Sequence, residues 1–174
     1  MLLEDQIFPK RCGHFSGKSV IPVGEMEAKL RAAFDARSDP NFVIIARTDA
    51  RAVEGLDSAI ARANRYAEIG ADLCFVEAPQ SREELQRIGQ EVQASQLANM
   101  LTGGVTPIVS AEELEGMGFK IVVAPIETLS VTGFAVRKLA QAMLQQGRVD
   151  HLADEMLSFA ELKELLGLTA WLSR

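Results

Sequence analysis

Apolar and polar positions alternate in blocks along this chain, short apolar runs being followed by longer stretches with helical spacing. The first run, Met1-Leu2-Leu3, ends in Glu4-Asp5 and reads as the tail of a buried β-strand. The next is Asn41-Phe42-Val43-Ile44-Ile45-Ala46-Arg47, bounded by Asp39-Pro40 and Thr48-Asp49, as expected for a strand buried on both faces. Residues 57–67 then carry apolar side chains at helical spacing, and Gly70 follows as a helix-ending glycine. A third strand is predicted at Leu73-Cys74-Phe75-Val76, ending in Glu77-Ala78-Pro79. Ser81, with Glu84 three positions on, predicts a capping box and a helix through about Val92. Leu97-Ala98 leads into Asn99 and a Gly103-Gly104 loop, and Ser110 with Glu113 predicts a second box for a short helix ending near Gly118. Lys120-Ile121-Val122-Val123-Ala124-Pro125 reads as another buried strand. A long amphipathic helix over 128–146 stops at Gly147, and 153–171 reads as one or two further helices with an apolar stripe of Phe159, Leu162, Leu165 and Leu166.

Strand and helix thus alternate with a repeat of about 25 to 30 residues, the spacing of right-handed βα units that build a parallel sheet. About five strands are counted. Two architectures fit this pattern, a doubly wound open sheet and part of a (β/α)8 barrel. The polar residues separate them. Glu4 and Asp5, Arg47 with Asp49, Glu77, and Asn99 each fall at or just after the end of a predicted strand, in four successive units. In a barrel these positions converge on one mouth, whereas in an open sheet only the pair at a switch point meets. The expectation is therefore an incomplete (β/α)8 barrel, about five βα units over 1–150, with C-terminal helices over 151–174.

Composition narrows the function classes. The chain has 174 residues, 48% of them hydrophobic and 24% charged, with a formal net charge of −6, enough for one domain with a substantial core. Its longest basic run is Lys10-Arg11, so no nucleic-acid partner is expected. A small anionic substrate remains compatible, since a few local cations suffice to hold a carboxylate. Cys12 and Cys74 belong to no CxxC spacing, which points away from zinc and disulfides and towards a reducing compartment. No signal-like or membrane-spanning apolar stretch is present, and a cytoplasmic location is the expectation.

The candidate chemistry lies in the stretch 4–14 and at the later strand ends. Arg47 has the fork that clamps a carboxylate, and Lys10 adds a second cation. Glu4, Asp5 and Glu77 are oxygen donors of the kind magnesium prefers, as ligands or as acceptors in its hydration shell. Cys12, between Arg11 and His14, is in a setting that favours proton exchange near neutral pH. Each has a plainer alternative. Lys10 and Arg11 as solvated loop charges, Cys74 as core packing, His151 as a surface residue, Asp49 as a cap, and Glu77 paired with Arg47 as a structural ion pair all fit the same residues. Gly103-Gly104 lacks the Lys-Ser/Thr of a phosphate loop and reads as a turn.

Glu4-Asp5-Gln6 followed by Lys10-Arg11-Cys12-Gly13-His14 resembles the signature of the isocitrate lyase and phosphoenolpyruvate mutase superfamily. Ile45-Ala46-Arg47-Thr48-Asp49-Ala50, Phe75-Val76-Glu77-Ala78-Pro79, Asn99-Met100, Gly103-Gly104 and Thr106-Pro107 resemble its later blocks in order, with most likeness to the methylisocitrate lyase and dimethylmalate lyase branch. The resemblance implies a barrel that binds Mg2+, or Mn2+, and a 2-oxo or 2-hydroxy carboxylate, and that cleaves a C–C bond through an enolate-like intermediate. It implies Cys12 as the acid/base, with Lys10, His14 and Glu77 in catalysis. Arg47, Gly13, Asn99 and Thr106 become substrate-binding residues, and Glu4 belongs to the metal's coordination or hydration shell. It also implies a homo-oligomer, a tetramer that exchanges its terminal helices. A cysteine at position 12 favours a lyase over a phosphorus–carbon enzyme.

Family members are longer, and the strands that carry the principal metal aspartates precede the Glu-Asp-Gln block. The expectation is an N-terminally truncated lyase in which Met1 stands at an internal position. The alternatives are an inactive half-barrel serving as an interaction or assembly module, an oxaloacetate decarboxylase or phosphoenolpyruvate mutase-like member, and a small enzyme completed by a second chain.

Overall fold

The computed structural model describes residues 1–172 and divides into two compact units, Met1–Pro125 and Ile126 onward. The first unit holds β1 (Leu2–Glu4), α1 (Val23–Ala36), β2 (Ile45–Thr48), a 3-10 turn (Ala50–Ala52), α2 (Leu56–Ile69) and β3 (Leu73–Val76). It continues with α3 (Arg82–Glu91), β4 (Ser95–Asn99), α4 (Ala111–Met117) and β5 (Phe119–Val123). All five strands are parallel and lie in the order β1-β2-β3-β4-β5. A doubly wound sheet reverses its strand order at a switch point, and this one never does. The order is that of an arc of a barrel.

The pleat explains how one short strand serves two environments. On β2 and β3, Ala46, Cys74 and Val76 join the buried cluster with Met26 and Leu30 of α1 and Ala59, Ala63 and Tyr66 of α2. The alternate positions face the other way, since side chains along a strand point to opposite faces in turn. Glu4 pairs with Arg47, and Arg47 with Phe75, so these residues share the face opposite the helices. The Arg47 guanidinium lies 5.3 Å from the Phe75 ring centroid.

Several local expectations hold. Gly70 ends α2 with a left-handed φ of 114°, and Ser110 and Glu113 form a complete capping box on α4. Ser81 caps α3 by accepting from the Glu84 amide at 3.2 Å, but the Glu84 carboxylate accepts from Gln80 N–H and from Arg51, so that box is half formed. Two expectations change. The strand foreseen over 41–47 is confined to Ile45–Thr48. The strand foreseen as buried at Lys120 is an edge, with Ile121 and Val122 exposed, because no strand among the described residues pairs with its far side. Helix α1 lies where the sequence pattern raised no expectation, although Met26 and Leu30 are spaced to bury one face.

One carboxylate ties the open ends of the first strands together. Asp5 is fully buried and accepts from Thr48 Oγ1 at 2.7 Å, from the Asp49 amide at 2.9 Å and from Tyr66 Oη at 2.9 Å, with Arg62 Nη1 at 3.4 Å. Arg62 in turn forms a fork with Glu54 at 2.9 and 2.8 Å and donates to the Ile21 carbonyl at 2.9 Å. Burial pushes the Asp5 carboxyl above its ordinary range even though its donors and Arg62 act against it. The Tyr66 phenol is likewise pushed up by burial.

The second unit has α5 (Glu127–Gln146), a 3-10 turn (Asp150–Glu155), α6 (Phe159–Leu165) and α7 (Leu168–Leu172). Gly147 ends α5 with φ 66°, Ala142 and Leu152 are buried, and Ser158 and Glu161 form a capping box that had not been foreseen. The apolar stripe of Phe159, Leu162, Leu165 and Leu166 is exposed. His151 is exposed as expected. Among the described residues no helix is long and apolar enough to cross a membrane.

If Asp5 joins β1, β2 and α2 as this geometry requires, Asp5→Ala should destabilise the first unit by about 3 kcal/mol, because Arg62 and three donors lose a buried partner. Urea unfolding followed by circular dichroism measures this. A midpoint within error of the parent protein would remove Asp5 from its central place.

Candidate functional site

The polar strand ends meet. Arg47, the penultimate residue of β2, places Nε 2.9 Å from Asp49 Oδ2 and Nη2 3.0 Å from Asp49 Oδ1, a bidentate fork. Its Nη1 lies 3.2 Å from Glu77 Oε2, and its Nε lies 3.5 Å from Glu4 Oε2. One guanidinium is therefore shared by carboxylates from three successive strand ends. Burial acts to discharge Arg47, but Asp49, Glu77 and Glu4 outweigh it and keep the group charged.

Glu77 follows β3 and is 1% exposed. Its Oε1 lies 3.1 Å from His14 Nε2. Neither that contact nor the one to Arg47 has hydrogen-bond geometry, so both Glu77 oxygens are buried acceptors without a hydrogen bond. Burial raises its pKa above the ordinary range, with Asp49 adding to the effect and Arg47, His14 and Lys18 opposing it. The backbone just beyond is unusual. Ala78, with φ 58°, is the one non-glycine residue at positive φ among the described residues, and such conformations gather at functional sites.

His14 arrives from the loop after β1. Its Nδ1 accepts from the Val105 amide at 3.1 Å, which assigns the proton of a neutral ring to Nε2, facing Glu77. Asn99 Nδ2, from the end of β4, is 3.5 Å from the same Nε2. Asn99 Oδ1 and Thr106 Oγ1 are also buried without a hydrogen-bond partner. Buried polar atoms are rarely left so; of these, the Glu77 and Asn99 oxygens belong to side chains beside His14, while Gln96 Oε1 in β4 is unpartnered as well.

Two glycines admit the loops. A Cβ on Gly13 would stand 2.4 Å from Glu77 Cδ and 2.6 Å from Arg47 Nη2. A Cβ on Gly104 would stand 2.6 Å from His14 Nδ1. Gly104 is thus a close-approach residue for the imidazole, a role the turn reading of Gly103-Gly104 did not contain.

Among the expected site residues, the structure brings together Glu4, Gly13, His14, Arg47, Glu77 and Asn99. Lys10 is an exposed ammonium paired with Glu4. Thr106 is buried one residue beyond the Val105 amide that holds His14. Cys12 is exposed, and the side chains flanking it are engaged elsewhere, His14 as above and Arg11 Nη1 at 3.5 Å from the Ser16 carbonyl. Cys74 is buried in mid-strand and its thiol is pushed up to about 12 by burial, in keeping with inert packing. Asp49 gives no side-chain cap to the turn that follows it; it is fully buried between Arg47 and Lys18, whose Nζ is 3.0 Å from Oδ1. Lys18 had not been foreseen. Nothing in its sequence neighbourhood distinguishes a buried loop lysine from a solvated one.

For a metal, the fit is poor. Among the described residues no group of three or more His, Cys, Asp or Glu side chains stands where it could hold an ion. The Glu4 oxygens already meet Lys10, Arg47 and the Gln6 amide at 3.3 Å. These residues do not by themselves make a magnesium site.

The strand-end geometry has a counterpart among known proteins. A family model described as phosphoenolpyruvate phosphomutase matches residues 1–144. The chain belongs to this family. It is 40% identical over 166 residues to 2,3-dimethylmalate lyase of Eubacterium barkeri, covering 95% of this chain and 57% of that protein. It is 41% identical over 169 residues to 2-methylisocitrate lyase of Shewanella oneidensis, covering 97% of this chain and 58% of that one. A crystal structure of 2,3-dimethylmalate lyase, a PEP mutase/isocitrate lyase superfamily member, superposes with a TM-score of 0.86 at 32% identity, over 99% of this chain and 57% of that chain. The five parallel strands match part of the phosphomutase-family barrel, and the chain spans little more than half the length of these relatives.

Two measurements test this site. Gly13→Ala should cost about 1 to 3 kcal/mol through the clash with Glu77 and Arg47, whereas Gly116→Ala, with nothing within 4 Å and a helical backbone, should stabilise by up to about 1 kcal/mol. Equal thermal shifts for the two would contradict the close approach at Gly13. The second measurement concerns acid. Burial pushes Asp49 up, but Arg47 and Lys18 prevail and hold it below the ordinary aspartate range. A group lowered in this way stabilises the fold above its unfolded pKa, and that stability is lost as pH falls through its folded pKa. Melting temperature should therefore fall steeply below about pH 4, and Asp49→Asn should flatten that slope. An unchanged slope would show that Asp49 is not held as described.

Proposed function

We propose that this chain carries the carboxylate-binding and proton-donating part of a C–C lyase acting on a short 2-hydroxy or 2-oxo di- or tricarboxylate, of the methylisocitrate or dimethylmalate kind. The observation that supports it most is the pair of side chains with unsatisfied buried oxygens, Glu77 and Asn99, beside Arg47 and His14, in a chain of the phosphomutase family.

In this reading Arg47 holds a substrate carboxylate, with Asn99 and Thr106 on its other oxygens and Gly13 allowing the backbone to come close. Cleavage leaves the bonding electron pair next to a carboxylate as an enolate-like anion. Arg47, Lys10 and the Nε2–H of His14 offset its charge. Cys12 delivers a proton to the carbanion, and Glu77, whose carboxyl holds a proton more readily than an exposed one, serves the reacting end by taking the proton that the 2-hydroxyl gives up as its carbon becomes a carbonyl. Magnesium belongs to this reading only with ligands beyond these residues. Glu4 is the strand-end carboxylate nearest in character to its hydration shell.

The half-barrel as an assembly module is the second reading, favoured by the exposed Ile121 and Val122 on an unpaired edge.

The test joins this chain to the portion of 2,3-dimethylmalate lyase that it does not span and follows 2-oxo acid release from 2,3-dimethylmalate and 2-methylisocitrate. The joined protein should turn over one of them, and Cys12→Ser should lower kcat by about 100-fold or more. Arg47→Lys should raise KM, because a single ammonium cannot reproduce the fork. A folded but inactive joined protein would favour the assembly reading. Undiminished turnover after Cys12→Ser would remove the thiol from the chemistry.

A further inference from the structure

Cys12 sits on a loop whose two flanks are each held by a buried polar side chain. The loop leaves β1 and returns at Val20, closed by an antiparallel bridge between Gln6 and Val20 and by the Ile7 amide donating to the Ser19 carbonyl at 2.9 Å. On the first flank stands Gln6, 5% exposed. Its Oε1 accepts from the Arg11 amide at 2.9 Å and its Nε2 donates to the Arg11 carbonyl at 2.8 Å. One side chain thus occupies both backbone groups of the residue before the thiol.

On the second flank stands Lys18, whose side chain is 1% exposed. Its ammonium donates to the carbonyl of Gly13, the residue after the thiol, and to Asp49 Oδ1 at 3.0 Å. Asp49 is also the residue that forks Arg47. The backbone beside Cys12 and the Arg47 guanidinium are therefore both tied to one carboxylate, the first through Lys18. Between the flanks, the Cys12 carbonyl accepts from the Phe15 amide at 2.9 Å. Closing a surface loop does not require a buried ammonium, which is costly to desolvate unless paired. Here the paired ammonium joins one atom of that loop to a side chain at the end of β2, the kind of supporting contact that keeps a site in place.

We propose that Gln6 and Lys18 are positioning residues that bracket Cys12, fixing the backbone on both sides of the thiol to the same frame that holds Arg47. The inference rests on the reading of Cys12 as proton donor for its importance, and on the hydrogen bonds alone for its geometry.

Hydrogen exchange on the 174-residue chain tests the geometry without any activity. In Gln6→Ala and in Lys18→Met, the amides of residues 11–15 should exchange about ten-fold faster or more, while those of β2 and β3 keep their rates. Unchanged exchange at 11–15, or an equal acceleration across the first unit, would overturn the bracket. If Lys18→Met does not fold, Gln6→Ala decides alone, since it removes the two bonds to the Arg11 backbone and the 3.3 Å contact to Glu4 and leaves the Asp49 pair intact.

In the joined protein, both variants should lower kcat about ten-fold or more with KM within about three-fold, as misplacement of a reacting group does. Methylammonium should restore part of the loss in Lys18→Ala and none in Gln6→Ala. Full kcat in both variants, with Cys12→Ser inactive, would overturn the positioning role while leaving the lyase reading intact. An active Cys12→Ser would overturn the lyase reading, and the exchange result would still stand or fall by itself.

Discussion

The first unit depends on a carboxylate with no access to water. Asp5 gathers the end of β1, the end of β2 and the middle of α2 through Thr48, the Asp49 amide, Tyr66 and Arg62. Glu4 and Arg47 each stand next to one of those attachment points in the chain. A parallel sheet defines the spacing of its strands through backbone hydrogen bonds, but the last residues of each strand have left the ladder and need another constraint. Asp5 supplies it by bonding to the residues that flank Arg47 on its C-terminal side. The side chain that binds charge is thus set by one that only binds donors.

Beyond that anchor, the site is a balanced set of charges rather than a cationic pocket. Arg47, Lys10 and Lys18 face Glu4, Asp49 and Glu77, all within ion-pair distance of at least one partner. Each charge is neutralised before any ligand arrives, which is how the three carboxylates tolerate burial beside Arg47 and Lys18, with Lys10 at the exposed end of the set. A ligand carboxylate must then compete for Arg47 with groups already in contact with it. Glu77 and Glu4 are the partners less firmly held, since they approach Arg47 at 3.2 and 3.5 Å without hydrogen-bond geometry while Asp49 makes two well-formed bonds.

Much of this was legible in the sequence, because period and punctuation report local structure. Leu73-Cys74-Phe75-Val76 became β3 without adjustment, Gly70 and Gly147 ended their helices, and the polar strand ends did converge. The failures share a cause. The strand around Ile44 came out shorter and β5 came out half exposed, because burial on the second side depends on neighbours that a local run of β-branched residues cannot specify. Lys18 and Gln6 escaped for a similar reason. Their roles come from a loop folding back on itself, and a loop has no period to read. The Glu-Asp-Gln block contained Gln6 in plain view, yet only the hydrogen bonds to Arg11 show what its amide is for.

The open edge of β5 also limits what a second copy of this chain could do. Two copies joined edge to edge about a two-fold axis normal to the sheet run their strands in opposite senses. The mouth is made from C-terminal strand ends only, so the arriving strand would present its N-terminal end there and its polar terminus would lie at the far rim. Direction, not affinity, then decides what can extend the mouth across β5. It must be a strand that points the same way, and this symmetry cannot supply one.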